Sequence, residues 1–353
     1  MKNWEKNIRK VVPYVPGEQP KNTNVIKLNT NENPYPPAPG VKKALESFDT
    51  DRLRLYPDPV VSELVGAIAD VYHVERNQVF VGVGSDDVLA MLFMTFFNSK
   101  KPILFPDITY SFYDVWADML RIPYEQIPLD EDFLIRPKDY ARENGGIVFP
   151  NPNAPTGELL ELSQIEEILK ANPDVIVIVD EAYIDFGSVS ALPLIEKYDN
   201  LIVVQTFSKS RSMAGSRIGF AISNPTLIKY LNDVKYSFNS YTMDAVTIAL
   251  GTAAVKDQAY FEETRDKIIK TREWTKEQLR GLGFVFGDSK SNFIFAKHPE
   301  VSGETLFHTL KDHNIYVRHF SKPARINEYL RITIGTDEQM QTLIDLLREI
   351  LER

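Results

Sequence analysis

The chain has 353 residues, a formal net charge of −9 and no cysteine. That length is long for a single hydrophobic core and predicts one large domain with a smaller one. The absence of cysteine excludes disulfides, thiolate metal sites and cysteine nucleophiles, and the acidic balance argues against nucleic acid or an anionic membrane as partner. No apolar run approaches the ~18 residues of a membrane span, and the opening MKNWEKNIRK has no signal-peptide core, so a cytoplasmic protein is expected.

The Pro- and Asn-rich stretch 13–39 reads as an extended arm with turns. Helix-like segments then follow at 41–48, 60–72, 86–97, 111–119 and 163–171. Between and after them run short apolar strands: VFVGV from 79, PILF from 102, GIVF from 146, VIVIV from 175 and LIVVQ from 201. Several are apolar without alternation, the pattern of strands buried on both faces of a parallel sheet. The alternation predicts an α/β fold. After about residue 245 the pattern changes to a long charged helix near 257–280, three strand-like runs (NFIFAKH, NIYVRHF, YLRITIG) and a closing helix from Asp337, as in a smaller α+β domain. The expected division is an arm over 1–33, a large domain over 34–245 and a small domain over 246–353.

Each strand is followed by polar groups. VFVGV leads into Gly84, Ser85 and Asp86 at a helix start; PILF leads to Tyr110; GIVF to Asn153; VIVIV to Asp180 and Tyr183; LIVVQ to Ser208 and Lys209, with Arg217 beyond. Ligands of open parallel sheets bind outside the carboxyl ends of the strands. Any one polar strand end answers only to solvent, but this set is chemically complementary. A lysine held near low-dielectric surroundings can form an imine with an aldehyde. Asp180, after a run of β-branched residues, can hold a protonated ring nitrogen. Tyr183 and Asn153 can donate to a phenolate, and Tyr110 can cover a ring. The helix start with Gly84, Ser85 and Asp86, the Ser208 hydroxyl and the Arg217 fork suit a phosphate. Together they describe a site for pyridoxal 5′-phosphate.

The ordered motifs NTNENPYPP, LYPDP, GVGSDD, NPNAPTG, DEAYIDF, SKSRSMAGSRIG and LRITIG resemble the pyridoxal-phosphate aminotransferases of the aspartate-aminotransferase fold, fold type I, and their histidinol-phosphate branch in particular. The resemblance spans nearly the whole chain. It implies a mostly parallel seven-stranded sheet flanked by helices in the large domain. It assigns catalysis to Lys209 as the Schiff-base lysine, with Asp180 and Tyr183. It also implies a homodimer in which Tyr56 reaches the partner's cofactor phosphate. A strand arginine is ordinarily a solvated surface residue; the resemblance instead makes Arg331 the binder of the donor carboxylate and of the substrate phosphate. Arg318 is expected as a second anion contact, and Tyr14 and Asn31 are expected to line the substrate pocket. The implied reaction is ping-pong transamination between L-histidinol phosphate and 2-oxoglutarate. A threonine-phosphate decarboxylase-like lyase and a broader aromatic aminotransferase are the competing readings on the same fold. Two departures stand out: many relatives have asparagine where this chain has Ala154, and many differ around SRSMAGS. The five histidines form no metal-binding spacing, so no metal is expected.

Overall fold

The computed structural model describes residues 2–14, 17–21 and 24–352. Positions 1, 15–16 and 22–23 of the expected arm lie outside them. The arm contributes β1 (Ile26–Lys27). There follow α1 (Pro39–Glu46), α2 (Ser62–Tyr72), β2 (Val79–Gly82), α3 (Ser85–Phe96), β3 (Ile103–Pro106), α4 (Tyr113–Leu120), β4 (Tyr124–Ile127), β5 (Ile147–Pro150), α5 (Leu162–Ala171), β6 (Val177–Asp180), β7 (Leu201–Thr206) and β8 (Gly219–Ile222). The remainder holds α6 (Pro225–Phe238), α7 (Ala245–Lys256), α8 (Gln258–Gly281), β9 (Val285–Phe286), β10 (Phe293–Lys297), α9 (Gly303–Asp312), β11 (Ile315–Tyr316), β12 (Arg318–His319), β13 (Leu330–Thr333) and α10 (Asp337–Leu351).

The large sheet has seven strands in the order β2-β8-β7-β6-β5-β3-β4. All run parallel except β8, which is antiparallel to both neighbours. Apart from β4, every residue of these strands is buried. The pleat explains why uniformly apolar strands are needed. Val177 and Val179 enter one core with Ile68 of α2 and Ile168 of α5, while Ile178 enters the opposite core with Phe93 of α3 and Trp116 of α4.

Two of these strands escape the periodicity reading. β4 (Tyr-Glu-Gln-Ile) is an edge strand with two exposed polar residues, so it lacks the apolar signature. β8 follows β7 through the loop 207–218 and opens on Gly219, so it reads as part of the loop motif.

The smaller unit is a four-stranded sheet, β12-β13-β10-β9, whose strands pair antiparallel. A separate parallel pair joins β1 of the arm to β11, with Ile26 opposite Ile315. The arm is thus stitched to the C-terminal unit. Helix α7 packs on α1 and α2, and its Ile248, Ala254 and Val255 belong to a core of the large unit. Among the described residues, no helix is long and apolar enough to cross a membrane.

Candidate active site

The register of the large sheet aligns its carboxyl edge. Pro150 lies opposite Asp180, Asp180 opposite Val204, and Thr206 opposite Gly219. Because β8 is antiparallel, the β7–β8 loop leaves and re-enters the sheet at that same edge. Lys209 and Arg217, near the two ends of the loop, therefore face one space. A cavity of about 170 Å³ opens there, lined by Ser85, Asp86, Tyr110, Asp180, Tyr183, Ser208, Lys209 and Arg217.

Its floor is built for an anion. Gly84 precedes α3 with φ 89°, a left-handed conformation that favours glycine, and a Cβ there would stand 2.5 Å from Arg217 Nη2. A Cβ on Gly219 would stand 2.2 Å from the Ser85 backbone nitrogen. The two glycines thus let the Arg217 fork lie against a helix N-terminus, whose free N–H groups and dipole attract negative charge. Arg217 itself has φ 52°, an uncommon conformation for a residue with a Cβ. Asp86 is the fork's partner: Arg217 Nη2 donates to its Oδ2 at 3.0 Å, and the Tyr110 hydroxyl donates to its Oδ1 at 2.6 Å. Ser208 Oγ accepts from Thr206 Oγ1 at 3.0 Å.

Lys209 stands over this cavity. Its Nζ lies 5.5 Å from the Tyr183 ring centroid and donates to the Thr30 carbonyl at 3.4 Å. Its own carbonyl, and that of Ser210, accept from Asn33 Nδ2 at 3.1 Å, so the arm grips the lysine's backbone. Asp180 is buried. Desolvation pushes its carboxyl up to about 6, against the Tyr113 hydroxyl, which donates to Oδ2 at 3.0 Å, and the Ala182 N–H, which donates to Oδ1 at 3.2 Å. Tyr113 was not singled out by the sequence; the signal available was a tyrosine one helical turn after Tyr110. Glu32, Ala154 and Ala214 also line the cavity without having been singled out as site residues.

Three expected residues lie elsewhere. Gly84 sits behind Arg217 at the helix cap. Asn153 lines neither cavity: its Nδ2 donates to the Ile108 carbonyl at 2.9 Å and to Thr156 Oγ1 at 3.0 Å, and its Oδ1 accepts from Thr109 Oγ1 at 3.1 Å. The expected phenolate donor is therefore occupied in its own loop, and it is the neighbouring Ala154 that faces the space. Tyr56 is 83% exposed and packs on Tyr241, with ring centroids 4.7 Å apart, away from the cavity of its own chain.

A second cavity of about 270 Å³ adjoins the first and shares Thr30, Tyr110, Ala154, Tyr183 and Lys209 with it. Tyr14, Asn31, Arg318 and Arg331 line it. Asn31 adopts φ 55°, which asparagine tolerates, and is bound by Thr333 of β13; its Nδ2 donates to the Tyr183 hydroxyl at 2.9 Å. Tyr14 stacks on Phe112 at 4.2 Å. Arg318 and Arg331 lie directly opposite each other across β12 and β13. Both guanidinium groups stand near the Phe320 ring, at 5.5 and 5.7 Å. Among the described residues neither forms an ion pair, and the buried Arg331 Nε has no hydrogen-bond partner. Burial holds the Arg331 guanidinium below its ordinary value, and Arg318 adds to the effect.

Lys209 thus stands between the Arg217 cradle and a second pocket in which, among the described residues, Arg318 and Arg331 have no acid partner. The aminotransferase class I and II family model matches residues 23–347. Histidinol-phosphate aminotransferase of Lactococcus lactis subsp. cremoris strain MG1363 is 53% identical over 99% of this chain and 98% of its own length. That of Pseudomonas syringae pv. syringae strain B728a is 53% identical over 99% of each. The chain belongs to the histidinol-phosphate aminotransferases. The fold of this aminotransferase matches the Sinorhizobium meliloti histidinol-phosphate aminotransferase solved with pyridoxal-5′-phosphate, with a TM-score of 0.84 at 24% identity over 93% of this chain and 91% of that one. The Clostridium acetobutylicum structure gives a TM-score of 0.85 at 22% identity, over 93% and 99%.

Proposed function

We propose that this aminotransferase is a cytoplasmic enzyme that exchanges the amino group between L-histidinol phosphate and 2-oxoglutarate, with pyridoxal 5′-phosphate as cofactor. The products are imidazole acetol phosphate and L-glutamate, and the reverse direction serves histidine biosynthesis. The residues fit the cofactor: Gly84 and Gly219 clear a space in which Arg217 meets a helix N-terminus, and Asp180 and Lys209 line the same cavity. When bound, the cofactor supplies an aldehyde for the amine and an aromatic ring that takes up charge from the substrate α-carbon. Lys209 Nζ carries the proton to and from that carbon. Asp180 would keep the ring nitrogen protonated, the Tyr183 hydroxyl would donate to the ring oxygen, and Arg217 and the start of α3 would hold the phosphate.

The observation that carries the substrate assignment is the Arg318–Arg331 pair. Like charges directly opposite in a sheet are unfavourable, and here both point at the cavity without an acid between them. An anion relieves that repulsion. The glutamate carboxylate and the histidinol phosphate group are the two anions that one guanidinium fork can accept alternately.

Tyr56 belongs to an exposed apolar tract with Leu53, Leu55, Val60, Phe238 and Tyr241. A second copy covers it, and Tyr56 completes the partner's phosphate site. Co-expressed Lys209→Ala and Tyr56→Ala subunits, each inactive alone, then yield active hybrids; no recovery in a verified hybrid overturns the shared site.

The substrate reading is tested by half-reactions on the cofactor-loaded enzyme. L-Glutamate and L-histidinol phosphate should each convert the cofactor's absorbance to that of its amine form, with phenylalanine and tyrosine slower by about 10²-fold or more, since binding differences of ~3 kcal/mol separate such substrates. Release of CO₂ from L-threonine phosphate, or equal rates with phenylalanine, contradicts the reading.

A further inference from the structure

We propose that Tyr113 is a positioning residue that acts through Asp180 on the cofactor's ring nitrogen. The inference rests on the reading above that Asp180 meets that nitrogen. Tyr113 is the first residue of α4 and is fully buried. Its ring sits in an aromatic cage: Tyr110 at 5.7 Å and Phe105 at 5.8 Å meet it edge-on, and Phe93 lies at 6.2 Å. The cage fixes where the hydroxyl points, and that hydroxyl donates to Asp180 Oδ2 at 3.0 Å. The other tyrosines of the cavity are turned elsewhere, Tyr110 to Asp86 and Tyr183 to Asn31.

A carboxylate has about four acceptor positions on its two oxygens. In Asp180 one oxygen takes the Ala182 N–H and the other takes Tyr113. Two donors on separate oxygens set the plane of the carboxylate and leave each oxygen a further lone pair, while the residue still lines the cavity. The Ala182 bond alone leaves rotation about χ2 open. Tyr113 therefore closes the last degree of freedom of the group that faces the ring. It also stabilises the ionised form of a carboxylate that burial would otherwise drive towards its neutral acid, which cannot pair with a ring cation. A hydroxyl packed for core filling alone needs no carboxylate partner; phenylalanine would serve.

The test uses two probes on the apoprotein: pyridoxal 5′-phosphate, and its 1-deaza analogue, in which the ring nitrogen is a carbon. Affinities are read by quenching of intrinsic fluorescence and by equilibrium dialysis, with no turnover needed. The wild type should bind the natural cofactor more tightly than the analogue. If it does not discriminate, the reading of Asp180 fails before Tyr113 is at issue. Given discrimination, Tyr113→Phe should weaken pyridoxal phosphate about tenfold, as expected for losing a hydrogen bond to a charged group, and leave the analogue unchanged. In an Asp180→Asn background the same substitution should have no selective effect. Equal weakening of both probes identifies a packing role and overturns the proposal, as does unaltered binding of both. Should Tyr113→Phe fold poorly, 3-fluorotyrosine at position 113, which keeps the ring and alters the hydroxyl's acidity, still decides it: a change in affinity confined to pyridoxal 5′-phosphate supports the proposal, and an equal change or none for both probes overturns it.

Discussion

The two adjoining cavities treat charge in opposite ways. In the one at the sheet edge every cation has an acid at hand: Arg217 is paired with Asp86, and Lys209 shares the space with Asp180. In the other, Arg318 and Arg331 face each other with no acid among the described residues. They also differ in construction. The first is lined mainly by strand ends and loops at one edge of the large sheet, joined by Thr30 and Glu32 of the arm. The second is assembled from the arm, through Tyr14 and Asn31, and from β12 and β13 some three hundred residues later in the chain. A resident cofactor suits a site whose cations are already held in place by neighbouring acids. Substrates that must enter and leave suit a cationic mouth formed where two parts of the chain meet, because the incoming anion itself supplies the missing charge.

The sharpest way to break this division is at Lys209, one of the residues that line both cavities. Lys209→Ala should remove both half-reactions, by at least ~10²- to 10⁴-fold for loss of a general base and by more through loss of the covalent attachment. Stopped-flow absorbance measures it. Retention of near wild-type rate places the chemistry elsewhere.

Next in size is the cationic mouth. Arg331→Ala should lower kcat/KM for glutamate and for histidinol phosphate alike by ~10²-fold or more, as expected for a bidentate guanidinium contact worth ~3 kcal/mol. Arg331→Lys keeps the charge but not the fork and should recover only part of this. Arg318→Ala should cost less, about tenfold, and chiefly with the doubly charged phosphate substrate. If Arg331→Ala instead weakened cofactor binding and spared substrate KM, the two cavities would not be functionally separate.

How much of this division was legible in the sequence follows from how it is built. The cofactor half could be read because buried strands are continuous apolar runs and the residues after them, from Ser85 to Lys209, fall at predictable ends. The direction of β8 could not, since four residues opening on glycine carry no period. Where the Asn153 side chain aims is not legible, because hydrogen bonds to Ile108 and Thr156 that no local pattern reveals set it. Tyr113 was passed over because an aromatic on a helix face reads as core. Of the substrate half, Arg331 came from the resemblance alone. Its facing Arg318 is a matter of antiparallel register, which needs the fold.

The smallest effect separates a site acid from a core acid on consecutive residues. Asp180 lines the cofactor cavity, whereas Glu181 turns into the protein, where Ser190 Oγ donates to it at 2.6 Å and Gln205 Nε2 at 2.9 Å. Burial pushes the Glu181 carboxyl up to about 7 from 4.5, against these donors. A carboxyl whose folded value is raised binds a proton in the folded state that the unfolded chain has already lost. Its contribution to stability is therefore complete below about 4.5 and is lost as pH rises to about 7. Glutamine at this position does not titrate. The unfolding free energy of Glu181→Gln minus that of the wild type should thus increase with pH between 4.5 and 7, by up to ~1.4 kcal/mol per pH unit, and level off above. Urea titrations of the apoprotein across that range measure it, and the Asp180 contribution, common to both proteins, cancels in the difference. Turnover at a fixed pH should hardly change, since Glu181 lines neither cavity. A flat difference would mean that Glu181 stays ionised throughout. A large fall in turnover would mean that the strand carries its influence from core to cavity, and that the boundary between the cofactor site and the protein behind it is less sharp than the charges suggest.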